Sequence, residues 1–206
     1  MSMRTRLLRL FASWVLVAIG VPMLIRAELG VAPFDVFNTG VSQATGWSLG
    51  VCFIVDAMTF FVIGLILGAR PGWGSVVGTI CIGPMVNVVL AILAKQHAMM
   101  PRLALLIGGT VILAVAICLV VSTELGAGPT EVAMLGLIHR GMGIVPARWI
   151  SDGTPLVVGT LLGGAIGPGT LLFALSMGPM VKFGFRRLHY EPRRHAPVGT
   201  DAAFGV

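Results

Sequence analysis

Asp56 lies in the middle of an apolar run from Leu49 to Leu65. A charged residue at the centre of a membrane helix costs about 2.5–3.5 kcal/mol on insertion scales, and the flanking apolar residues can offset that. Such an acid must face other helices or a water-filled cavity. It suits a relay for protons or cations, and it equally suits an acid that holds helices together by hydrogen bonds. Asp152 follows Arg148 by four residues, so the two share a helix face. They read as a structural ion pair in the first instance. Alternatively, Arg148 presents its planar fork to an anionic group of a substrate. Asp35 and Glu131 stand third in stretches that open with Pro33 and Pro129. An acid there complements a helix dipole; the functional alternative is that it lines a substrate or ion path. Asn87 corresponds to Lys182 and is a further path candidate, whereas Lys182 reads as an interfacial anchor.

Other chemistry is sparse. Glu28 and Glu124 precede Leu-Gly and read as interfacial, with Arg26 a partner for Glu28. His97 and His139 are isolated and read as solvated. No metal site is expected. Cys52, Cys81 and Cys118 fit no zinc spacing and read as packing residues. The chain has no GxxxxGK[ST], HExxH or GxSxG stretch, and neither Asp56 nor Asp152 stands in a GxGD-like context. An enzyme is therefore not expected, nor is a cofactor.

These acids are placed by a repeat. Glu28-Leu29-Gly30 through Val36 is echoed by Glu124-Leu125-Gly126 through Val132. Six of the eight acids form three pairs at the same offset of 96: Glu28/Glu124, Asp35/Glu131 and Asp56/Asp152. After one deletion the offset is 95, and Gly83-Pro84-Met85-Val86 matches Gly178-Pro179-Met180-Val181 without a difference. The chain is thus two copies of a unit of about 90 residues.

Each unit reads as one span, a short segment and two more spans. The spans are 7–26, 48–69, 74–94, 103–122, 146–164 and 169–186. The short segments run from Pro33 to Thr45 and from Pro129 to Gly141. Pro at the first helical position starts each of them. Thirteen helical residues reach about 20 Å, short of a hydrocarbon core of roughly 30 Å. Each is taken as a half-helix, re-entrant or interfacial. The expected fold is all-α membrane, with six transmembrane helices in two three-span inverted repeats. If the short segments cross, there are eight spans and the repeats are parallel. Gly83-Pro84 and Gly178-Pro179 are expected to break their helices and to mark a central cavity. Gly64/Gly68 and Gly159/Gly163 have the spacing of close helix packing, within the protein or between two copies.

Composition agrees. Of 206 residues, 56% are hydrophobic and only 11% are charged, too few charges to cover a water-facing surface. The mean hydropathy is +0.97. The net charge is +6, and the cations gather at the ends: Arg4, Arg6 and Arg9, then Lys182, Arg186, Arg187, Arg193 and Arg194. That places both termini in the cytoplasm and argues for contact with anionic lipid rather than nucleic acid. The loop cations do not choose between six and eight spans. Six put Arg70, Arg140 and Arg148 inside and Lys95 and Arg102 outside; eight move Lys95 and Arg102 inside and Arg70 outside. Residues 1–190 read as one transmembrane domain, with repeats at 7–95 and 102–186. Residues 191–206 read as a flexible cytoplasmic tail.

The stretch Gly30-Val31-Ala32-Pro33-Phe34-Asp35-Val36, the Gly-x-Gly-Ser/Thr motif and the two Gly-Pro-Met-Val sequences resemble the YczE/YitT-type bacterial membrane proteins. The resemblance covers residues 10–186 and departs at Trp73-Gly74-Ser75, where the second half has Pro168-Gly169-Thr170. It implies the bacterial cytoplasmic membrane and no particular substrate. The expected function is a secondary transporter of a small solute, with proton coupling possible at Asp56 and Asp152. The alternatives are a non-transporting accessory or assembly protein and the membrane subunit of a transport complex; the GxxxG faces permit a homodimer.

Overall fold

The computed structural model describes residues 2–69, 72–164 and 166–192. Arg70, Arg193, Arg194 and the tail from 193 onward, on which part of the topology reading leans, lie outside them. Among the described residues the chain is all-helical, with eight helices and no strand: α1 (Met3–Ala27), α2 (Pro33–Thr45), α3 (Leu49–Ile66), α4 (Trp73–Ile92), α5 (Met99–Thr123), α6 (Pro129–His139), α7 (Ile144–Leu161) and α8 (Pro168–Arg187).

The helices of the two halves match in length: 25, 13, 18 and 20 residues, then 25, 11, 18 and 20. Sequence chemistry explains the boundaries. Pro33 and Pro129 open α2 and α6, where a missing N–H costs nothing. Glu28 and Glu124 close α1 and α5 in the left-handed region, at φ 50° and 57°, each donating its N–H back into the last turn. Among the described residues three helices, α1, α4 and α5, are long and apolar enough to cross a membrane, and Val51–Ile66 within α3 is apolar but shorter. Arg148, Asp152 and Pro155 interrupt the apolar character of α7.

The halves are wound through one another. α1 packs on α5, α2 on α7, and α3 on α6. α1 and α5 run antiparallel. Arg6, at the start of α1, pairs with Glu124 at the end of α5 at 3.6 Å. At the opposite end, Arg102 of α5 donates to the carbonyls of Ala27 and Glu28 at 2.8 and 2.6 Å. The loops exchange in the same way. The Gly74 N–H at the start of α4 donates to Leu125 O at 2.9 Å, and the Gly169 N–H at the start of α8 donates to Leu29 O at 2.7 Å. These four residues are repeat mates, so one contact is made twice, each time between halves.

Backbone proximity requires glycine at the crossings. A Cβ on Gly40 would strike the carbonyl of Gly159, and one on Gly136 would strike Leu67 and the carbonyl of Gly64. The first member of each GxxxG pair therefore serves helix packing inside the chain. The second, Gly68 or Gly163, takes a positive φ (96° and 90°) just past the end of its helix.

Three expectations are corrected. Gly83-Pro84 and Gly178-Pro179 do not end their helices: α4 and α8 run through them, with Pro84 and Pro179 inside. Gly83 has open space around it, and Gly178 packs against Val145 and Trp149. Arg26 does not pair with Glu28. It reaches across to donate to the Leu90 carbonyl in the last turn of α4 at 2.6 Å, while Glu28 pairs with Lys95 at 3.6 Å. The carbonyls that end a helix need donors from elsewhere, and Arg26 supplies one. His139 is half-buried and sits over Gly68, with its Nδ1 enclosed, whereas His97 is exposed.

Candidate functional site

Two polar centres lie buried in the bundle, one in each half. Their residues are repeat mates, but their chemistry differs.

The centre of the second half is a closed ion triad. Arg148 on α7 donates Nε to Asp152 Oδ2 at 2.8 Å and Nη1 to Glu131 Oε1 on α6 at 2.5 Å. Thr130 Oγ1 donates to the same Glu131 oxygen at 3.2 Å. Arg148, Asp152 and Glu131 are 3%, 2% and 8% exposed. The sequence brings Arg148 and Asp152 together through one helical turn; Glu131 arrives because α6 packs against α7. Gly128 makes room for it, since a Cβ there would collide with Glu131 Oε2. With two carboxylates on one guanidinium, Arg148 is not poised as an anchor for a further anion.

The centre of the first half has no cation among the described residues. Asp56 on α3 is 1% exposed, and Asn38 on α2 is fully buried. Asn38 Nδ2 donates to Asp56 Oδ2 at 3.3 Å and to the Phe34 carbonyl at 2.9 Å. The other oxygens of this pair, Asp56 Oδ1 and Asn38 Oδ1, are buried without a hydrogen-bond partner. Asp35 is close enough to repel the Asp56 charge. Asp35 stands in the first turn of α2, where an acid complements the helix dipole. Phe34 packs edge-on against Phe53 and Phe60, which bracket Asp56 on the same face of α3.

The difference traces to single positions. The mate of Arg148 is Cys52, buried at 2%. The mate of Asn38 is Met134, also buried. Of the residues singled out from the sequence, Asp35 and Asp56 meet in one centre, and Glu131, Arg148 and Asp152 in the other. Asn87 is exposed on α4 and takes part in none of the bonds described. Asn38 escaped sequence reading because repeat matching favours shared residues and Asn38 is not shared. The register of each short helix brings its start to the last turn of the helix it packs on. Val36 and Phe37 lie at Gly159 of α7, and Val132 lies at Gly64 of α3. Asp152 and Asp56 stand seven and eight residues before those glycines. An open, mostly apolar cleft between the end of α1 and the start of α8, lined by Ile25, Leu29, Ile166 and Pro168, touches neither centre.

Comparison with known proteins places the chain. Residues 4–186 match the description "family of unknown function (DUF6198)". The chain belongs to that family. An uncharacterised protein of Haemophilus influenzae is 29% identical over 175 residues, 84% of this chain and 80% of the relative. The uncharacterised membrane protein YczE of Bacillus subtilis is 27% identical over 179 residues, 84% of this chain and 82% of the relative. The resemblance to YczE-type proteins read from the glycine and proline motifs therefore holds. No solved structure matches. With three helices fit to cross a bilayer, this DUF6198 chain is a membrane protein.

Proposed function

We propose that this DUF6198 protein is a small secondary transporter of the bacterial cytoplasmic membrane, with six spans in two inverted three-span repeats. In this reading α2 and α6 enter the membrane without crossing it. Helices of 13 and 11 residues reach about 20 and 17 Å, less than a bilayer core of roughly 30 Å. The antiparallel run of α1 and α5 favours inversion, because eight alternating spans would make these two repeat mates parallel. An even number of crossings keeps both cation-rich ends on one side, the cytoplasmic one by the positive-inside rule.

The observation that carries the transport reading is the unequal charge of two equivalent centres. Ionisable groups within membrane helices mark ion or substrate paths more often than not. One centre here is tied off by Arg148, and the other keeps two acids without a cation. A protein that needed these acids only as glue could close both centres alike. In secondary transporters of inverted design, the site lies near the midplane at the repeat interface, beside the ends of broken or short helices. Asp56 fits that description in standing on α3 and being bonded to the short helix α2. Asp56 is then the coupling carboxylate. The Arg148 triad is the fixed structural counterpart, and lipid is the constant partner.

The test is an untargeted exchange experiment. Proteoliposomes are loaded with a labelled metabolite extract and challenged outside with the unlabelled extract; mass spectrometry then follows the loss of label. The reading expects at least one small solute to exchange in wild type and not in protein-free liposomes. No exchange of any compound, by protein shown to be folded, would overturn it.

A further inference from the structure

We infer that Asn38 and Asp56 form a proton-binding pair, and that the ion bound at the centre of the first half is a proton rather than a metal cation. The inference deepens the transport reading, on which its coupling role rests, but the binding itself stands on the geometry of the pair.

The two side chains carry three oxygens and one amide nitrogen between them. Asn38 Nδ2 uses one hydrogen on the Phe34 carbonyl and the other on Asp56 Oδ2. That fixes the amide: with its nitrogen on Phe34 O and Asp56 Oδ2, only Oδ1 remains. Asp56 Oδ1 remains on the other side. Buried acceptors left without donors are unfavourable. A single proton on Asp56 Oδ1, taken from water and donated toward Asn38 Oδ1, answers both. The result is the cyclic pairing of a carboxylic acid with a primary amide, N–H to one carboxyl oxygen and O–H back to the amide oxygen. No second donor is required and no group is left over.

The surroundings suit a proton. A metal cation bound by oxygens needs several ligands at once, six or more for calcium. Among the described residues no group of three acids, histidines or cysteines could hold a metal ion. The Phe34, Phe53 and Phe60 rings beside the pair offer carbon and no cation ligand. The charged groups facing Asp56 are few. On α2, Asp35 is itself an acid and repels a second negative charge nearby. On α6, Glu131 is held by Arg148. His139 and Arg140 lie at the far end of α3, against Gly68 and the Ile66 and Leu67 carbonyls. No described cation competes with a proton for the Asp56 carboxyl. The second half cannot repeat the device, because Met134 has no amide and Arg148 takes the acid.

The test is infrared difference spectroscopy of the full-length protein in lipid, with the pH cycled and the aspartate carboxyl carbon isotopically labelled. The expected result is a protonated-carboxyl band that shifts with the label and disappears in Asp56→Asn. In Asn38→Leu it should move to higher frequency, as for a carboxyl that has lost its hydrogen-bonded partner. Asp152→Asn should leave the band in place. Either of two results overturns the inference: no Asp56-dependent band at any pH where the protein is folded, or a band abolished by sodium at constant pH. If Asp56→Asn does not fold, the Asn38→Leu shift on labelled protein decides alone. A band in a protein that exchanges no solute would remove the transport reading and leave the proton site. Sodium-dependent exchange without a band would do the reverse.

Discussion

Replacing Arg148 by leucine should destabilise the protein more than any other single change at the two centres. The guanidinium makes two charge-assisted hydrogen bonds, to Asp152 and Glu131, and all three residues are at least nine-tenths buried. Bonds to charged groups contribute about 1.5–3 kcal/mol each, so their joint loss comes to about 3–6 kcal/mol. Breaking a buried ion pair by removing one partner costs about 3–5 kcal/mol, and the two routes agree. Asp152→Asn, by contrast, leaves Arg148 on Glu131 and should cost about half as much. The leucine should also be better tolerated where both acids are already neutral, in Asp152→Asn/Glu131→Gln, because no uncompensated charge then remains. Equilibrium unfolding in mixed micelles reads all of these. If Arg148→Leu lies within about 1 kcal/mol of wild type, or costs no more than Asp152→Asn, the triad is not the closed structural centre described here.

Other changes separate packing from ion chemistry. Gly40→Ala should destabilise by about 1–3 kcal/mol, the usual cost of overpacking, because its Cβ meets the Gly159 backbone; Gly136→Ala should behave alike, and the same unfolding assay checks both. Gly83→Ala, in open space on α4, should leave stability unchanged or slightly raised by the better helix propensity of alanine. Cys52→Arg puts a cation one turn before Asp56, as Arg148 stands before Asp152. It should abolish the Asp56 carboxyl band and any proton coupling while the protein stays in the membrane fraction. Arg102→Ala frees the Ala27 and Glu28 carbonyls and should lower the melting temperature without altering exchange.

The physical reach of each sequence signal explains what could be read in advance. α2 was legible to its last residue because Pro33 fixes its start and Gly46 its end. The six longer helices followed from apolar run length, within a few residues at most ends. The Arg148–Asp152 contact is a local, one-turn relation. Glu131 needed the crossing of α6 on α7, which no spacing encodes. Gly83-Pro84 and Gly178-Pro179 misled because a proline removes one hydrogen bond without obliging a helix to stop. Arg26 misled because its neighbour in sequence, Glu28, is turned aside by a left-handed cap, while α4 brings the Leu90 carbonyl within reach. Comparison of the halves exposed the acids they share and concealed Asn38, which only one half carries. The asymmetry on which the functional reading turns was therefore visible in the sequence only as Cys52 against Arg148.

The most direct test of transport coupled at Asp56 is charge movement by proteoliposomes on a solid-supported membrane. Wild type is challenged with a metabolite panel beside Asp56→Asn and Asp152→Asn, each confirmed to be folded and inserted. Transient currents in wild type that vanish in Asp56→Asn are the predicted result. Currents that persist unchanged in Asp56→Asn would contradict the assignment of the coupling carboxylate. Silence in wild type, with no accompanying signal from a pH-sensitive dye, would contradict transport itself.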